Sequence, residues 1–137
     1  MVNQSPLARA VETEKITVNV TFVDLGHIDL IVAESFYANR SDFIRTAIRN
    51  QLERHREALD RSARRKKLDL GLHDFTREHL ESVRASGETI AIRVLGLARI
   101  ANDVAPDLAR ATIASVDVLG ALHASAAVKA ALADRIS

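Results

Sequence analysis

Lys15, Thr17 and Asn19 occupy alternate positions of KITVNVT (residues 15–21), with Ile16, Val18 and Val20 between them. Successive side chains of a strand point to opposite sides, so this spacing predicts two unlike faces. One carries an ammonium, a hydroxyl and a carboxamide, together with Thr21. The other carries three β-branched aliphatic groups. The polar face is a row of hydrogen-bonding groups of the kind that can address base edges. An ammonium can donate to guanine O6 and N7, a carboxamide can pair with adenine N6 and N7, and threonine offers a hydroxyl and a methyl. A second group, Arg40-Ser41-Asp42, reads as the start of a helix with Ser41 as its N-cap and Asp42 favourably placed in the first turn. Free amides at such a terminus favour an anion. Arg45 and Arg49 follow on that helix and are expected to be solvated or paired within a dimer.

Other chemistries find little support. The chain has 0 cysteines, which excludes disulfides, thiolate metal sites and cysteine nucleophiles. His27, His55, His73, His79 and His123 are scattered, and His73 and His79 do not share a helical face. No metal or cofactor is expected. There is no nucleophile elbow, Walker loop or HExxH helix, and Gly71, Gly87, Gly96 and Gly120 read as isolated, so nothing argues for an enzyme.

The elements that must position the polar row follow from the apolar pattern. A lone strand cannot satisfy its own backbone groups. One strand ahead of two helices therefore implies pairing with a copy of itself, as an antiparallel two-stranded ribbon of a size that fits the DNA major groove. A first helix is expected over about 23–35, with Leu25, Ile28, Ile31 and Val32 as its buried stripe and Leu30 on its exposed side. A second begins at Ser41 and carries Phe43, Ile44, Ala47, Ile48 and Leu52 on one face.

These residues resemble the ribbon-helix-helix DNA-binding domains of the CopG/Arc/MetJ type. The resemblance rests on the KITVNV strand, on Asp24-Leu25…Ile28-Asp29…Ile31-Val32, on the turn Phe36-Tyr37-Ala38-Asn39-Arg40-Ser41, and on Asp42-Phe43-Ile44-Arg45…Ala47-Ile48-Arg49. Ser35 departs from it, standing where such domains often have glycine, and Gly26 lies inside the first helix. The resemblance covers about residues 15–55 and implies an N-terminal intertwined ribbon-helix-helix dimer; with the second small strand-helix repeat module that the residues beyond it suggest, the expected fold class is α+β. The resemblance also implies base contacts by Lys15, Thr17 and Asn19, and a phosphate held at Arg40, Ser41 and Asp42. The expected dimer core is Ile16, Val18, Val20, Ile28, Val32, Phe43, Ile44 and Ile48.

The functional expectation is a sequence-specific regulator of transcription, a repressor or autoregulator, with double-stranded DNA and itself (dimer or tetramer) as partners. Two rival readings are an antitoxin that neutralises a toxin through its tail and a structural protein that organises DNA. The antitoxin is disfavoured by an apolar, repeated tail.

Charge and length agree with a divided molecule. The 137 residues carry a net charge of +1, unevenly spread. Residues 1–67 hold 12 Lys/Arg against 9 Asp/Glu, residues 68–137 hold 7 against 9, and residues 40–67 alone hold 10 against 4. The positive charge is concentrated from the second helix through Arg64-Arg65-Lys66-Lys67, where phosphate contact is the expected use. No apolar run is long enough to span a membrane and the N-terminus lacks a secretory core, so a cytoplasmic, nucleoid-associated protein is expected. The expected divisions are a flexible arm at 1–14, the ribbon-helix-helix domain at 15–55, a basic helix extension or linker at 56–67, and an α/β oligomerisation or regulatory module at 68–137.

Within the last segment, Ile92-Arg93-Val94-Leu95-Gly96-Leu97 recurs 24 residues later as Val116-Asp117-Val118-Leu119-Gly120-Ala121. The register carries Val104, Leu108 and Ala109 onto Val128, Leu132 and Ala133. Each unit reads as strand, glycine and helix (about 106–114 and about 126–135), with a further helix at about 74–85. Two strands make a marginal sheet. The expectation is that a second chain supplies the missing strands.

Overall fold

Short polar caps set where the helices begin. Thr21, Asn39, Thr76 and Ser125 are extended, and each side chain accepts a hydrogen bond from the amide three residues on. The computed structural model describes residues 13–137, so the arm expected at 1–14 lies outside the described residues except for its last two positions. In chain order the elements are α1 (Phe22–Ala33), α2 (Arg40–Arg54), α3 (Arg56–Arg65), β1 (Asp69–Phe75), α4 (Arg77–Ala85), β2 (Ile90–Ile100), α5 (Pro106–Thr112), β3 (Ile113–His123) and α6 (Ala126–Ala131). The fold is thus a mixture of helix and strand.

Three helices end in one way. After α1, Ser35 N–H donates to the Val32 carbonyl and Phe36 N–H to the Ile31 carbonyl. This pair of bonds requires a left-handed residue at the turn, and Ser35 supplies it at φ 66°. The same bonding recurs after α3 through Lys67 at φ 55° and after α4 through Gly87 at φ 73°. The glycine preference at the position of Ser35 thus has a conformational cause.

The described residues form two compact units, 13–62 and 63–137. The first holds residues 13–21, α1, α2 and most of α3. Residues 13–21, where a strand is expected, belong to no helix or strand within the single chain, and α1, α2 and α3 contain no fully buried residue. The helical break between α2 and α3 is at His55, whose carbonyl accepts from Leu59 N–H as α3 begins.

The second unit is a three-stranded parallel sheet in the order β1-β2-β3. α4 joins β1 to β2, α5 joins β2 to β3, and α6 follows β3. Leu80, Leu108, Ala109, Val128 and Leu132 of the helical segments pack with Ile92, Val94, Ala98, Ile100, Ile113 and Val116 in one buried cluster. Thr112, also buried, donates from its hydroxyl to the Leu108 carbonyl at 2.7 Å.

Gly71, Gly96 and Gly120, far apart in the sequence, sit side by side in register across the three strands. One expectation is corrected here. The sheet has three strands within one chain, because Leu70-Gly71-Leu72 is a further rung of the repeat, paired with Leu95-Gly96-Leu97. The premise for completing a two-stranded sheet with another chain's strands therefore falls. A Cβ on Gly96 would collide with the Gly71 carbonyl, and one on Gly120 with the Gly96 carbonyl. All three glycines have positive φ.

The C-terminus closes part of the outer edge of β3. Val116 N–H donates to the Arg135 carbonyl and Ser137 N–H to the Val116 carbonyl, both at 2.9 Å. Arg110 holds Asp134 through two bonds of 2.7 and 3.1 Å, and Arg135 donates to the Ile113 carbonyl at 2.7 Å.

Candidate nucleic-acid interface

The candidate interface lies in residues 13–62. Lys15, Thr17 and Asn19 are all exposed. Their apolar neighbours are exposed too: Ile16 at 73%, Val18 at 70% and Val20 at 53%. Ile16, Val18 and Val20 line one apolar groove of about 600 Å³ with Leu25, Ile28, Ile44 and Ile48. Val32 and Phe43, the other expected core residues, are half-buried. Phe43 packs edge-on against Tyr37 with ring centres 5.1 Å apart, and it borders a different hollow with Ile28 and Ile31. Leu30 is exposed, on the side expected for it.

The start of α2 is built differently from the expected pattern. The cap is Asn39, not Ser41: its side-chain oxygen accepts from Asp42 N–H at 2.8 Å. Asp42 returns the bond, its carboxylate accepting from Ala38 N–H at 2.9 Å. This reciprocal arrangement is a capping box in kind, and its signal, Asn39 three residues before Asp42, was present in the sequence. The first i to i−4 bond of α2 is Phe43 N–H to the Asn39 carbonyl. The amides of Arg40 and Ser41 precede it and so have no acceptor within the helix. Asp42 is occupied in the cap, and its negative charge disfavours direct contact with phosphate.

Arg40 is held in place by a residue that sequence reasoning passed over. Its guanidinium grips Asp29 of α1 through bonds of 2.8 and 2.9 Å. Those hydrogen bonds hold the Asp29 carboxyl below the usual carboxylate range and push Arg40 above its ordinary value. The pair ties α1 to the first turn of α2, next to the exposed amides. Basic residues continue along α2 and α3, where Arg56 pairs with Glu53 at 2.8 Å.

The family model described as the ribbon-helix-helix transcriptional regulator family matches residues 11–129. The chain belongs to that family. The match runs from ahead of the alternating segment into α6, and so takes in most of the sheet-bearing unit as well. No curated protein and no solved structure matches the chain. Among the described residues, no helix is long and apolar enough to cross a membrane.

Proposed function

We propose that this ribbon-helix-helix regulator is a sequence-specific repressor or autoregulator acting as an intertwined homodimer. Residues 15–21 of two chains pair as an antiparallel ribbon and enter the major groove of double-stranded DNA. Lys15, Thr17 and Asn19 then face the bases, where each good contact is worth about 1–3 kcal/mol of discrimination. A backbone phosphate sits at the amides of Arg40 and Ser41, where the α2 dipole and unsatisfied donors attract an anion. Asp42 and Asn39 shape that terminus, and Asp29 aims Arg40.

One observation carries the reading. Residues 13–62 present a groove of exposed aliphatic side chains from both the alternating segment and α2, and no residue of α1 or α2 is fully buried. A unit of this size with no buried residue in those helices lacks the core needed to fold alone. A copy of the alternating segment laid against the first would cover Ile16, Val18 and Val20, satisfy the strand's backbone groups, and leave the polar row outward.

Selection of DNA from a random pool by the purified full chain, followed by footprinting, tests this. A short palindromic site is expected. Extended coverage without a preferred sequence would instead indicate a protein that organises DNA.

A further inference from the structure

The second unit has an apolar sheet face that lies outside its helix-packed cluster and is exposed along the two outer strands. The even-numbered positions Ile92, Val94, Ala98, Ile100, Val116, Val118 and Leu122 join the cluster beneath α4, α5 and α6. Leu70, Leu72, Leu95, Leu97, Leu119 and Ala121 are outside that cluster, although Leu97 is only 9% exposed. The register aligns them as two cross-strand rows, Leu70–Leu95–Leu119 and Leu72–Leu97–Ala121, one on each side of the glycine row. Leu70 is 79% exposed and Leu119 46%. Arg93 and Asp117 flank the apolar block at one end of the strands, and Asp74, Arg99 and His123 at the other. Parallel sheets occur almost only with both faces covered.

We propose that a second copy of the chain covers this face, the two apolar sheet faces stacking on each other. The area of the patch selects that occupant. Three strands at about 4.8 Å spacing and seven residues at about 3.3 Å rise give a face of roughly 14 by 23 Å. That footprint, roughly 320 Å² in projection, is small beside the roughly 800 Å² of accessible surface per partner that a stable complex of free proteins buries. An independent protein would gain too little from it. A copy already tethered through the ribbon has an effective concentration approaching millimolar, and so needs only a small contact. The rim suits a copy of itself as well, since it carries both signs of charge. This tethering rests on the homodimer proposed above.

The absence of native cysteine makes the test direct. Leu95→Cys places one thiol at the centre of the face, and Ser82→Cys places one on exposed α4 as a control. In the full chain, a short bis-maleimide should join Leu95→Cys into a species of twice the chain mass, and leave Ser82→Cys unlinked. Adding Leu70→Glu and Leu119→Glu, both at exposed positions, should abolish the link while the chain stays folded by circular dichroism. Sedimentation of Val18→Asp reads the ribbon separately. If the parent chain is dimeric, Val18→Asp is monomeric and Leu95→Cys links no better than Ser82→Cys, the stacked faces are refuted and the ribbon stands. If Val18→Asp stays dimeric while the Leu70/Leu119 pair of changes makes the chain monomeric, the ribbon fails and the face is the dimer contact. If Leu95→Cys is shielded from a single maleimide without linking, and deleting residues 1–12 exposes it, the chain's own N-terminal segment is the cover and the proposal is wrong.

Discussion

Ser35 carries a conformational cost that a single change would remove. Its φ of 66° lies in the left-handed region, which costs a residue bearing a Cβ roughly 1–2 kcal/mol. Ser35→Gly should therefore raise stability by about 1 kcal/mol in urea denaturation, less whatever glycine's extra freedom in the unfolded chain takes back. No gain would mean that the serine hydroxyl compensates in the assembled protein. At the polar row, Thr17→Ala or Asn19→Ala should lose discrimination between the selected site and random DNA, by about 1–3 kcal/mol for a good base contact. Arg40→Ala should instead weaken binding to all sequences and flatten the salt dependence. Titrations at several salt concentrations separate the two. Unchanged specificity in both ribbon variants would mean that the ribbon is not the reader.

At the scale of elements, the glycine row gives a graded expectation. Gly96 and Gly120 each face the carbonyl of the preceding strand's glycine, whereas nothing lies within 4 Å of a Cβ on Gly71, whose strand is the first of the sheet. Gly71→Ala should cost only the strain of positive φ, about 1–2 kcal/mol. Gly96→Ala and Gly120→Ala should cost clearly more, because backbone must move. Equal losses at all three in thermal melts would contradict the stacking. The closure of β3 by the C-terminus has a pH signature. The hydrogen bonds from Arg110 hold Asp134 below its ordinary value. A folded pKa below the unfolded one stabilises above the ordinary aspartate range, near 3.9, and that contribution is lost as pH falls through the lowered value. Asp134→Asn should thus reduce stability at neutral pH and flatten its fall in acid, as followed by melting temperature against pH. The repeat itself was half legible. Ile92–Leu97 and Val116–Ala121 were visible as copies because both are apolar throughout. The rung at Leu70-Gly71-Leu72 escaped because its flanks, Asp69, His73 and Asp74, are polar where β1 forms the edge of the sheet.

For the whole molecule, the exposed groove over residues 13–62 leads to a mass-action expectation. Folding of that part should depend on assembly, so the lower melting transition of the full chain should rise with protein concentration. A concentration-independent melt from a species that sediments as a monomer would overturn the homodimer. The sheet unit, with its own buried core, should persist on dilution as a separate transition. Deleting residues 68–137 should leave a DNA-binding dimer with weaker or less cooperative site occupancy, since the stacked faces would no longer join the copies.

The sequence by itself determined the periodicities: an alternating segment with one polar face, two helices with apolar stripes, and a recurring strand-glycine-helix string. Those patterns are local, written in residues two to four apart, and they carried the family resemblance. Only the tertiary structure decided what depends on residues distant in the chain. It showed that Asp29 holds Arg40 and that, in a row of three glycines, Gly96 and Gly120 each face a neighbouring strand's carbonyl too close for a Cβ. It also showed that six aliphatic side chains line up in two rows on the sheet face outside the helix-packed cluster. The placement of the helix cap at Asn39 rather than Ser41 is the intermediate case. Either residue can cap, and the extended backbone of Asn39 is what sets its side-chain oxygen on the Asp42 amide.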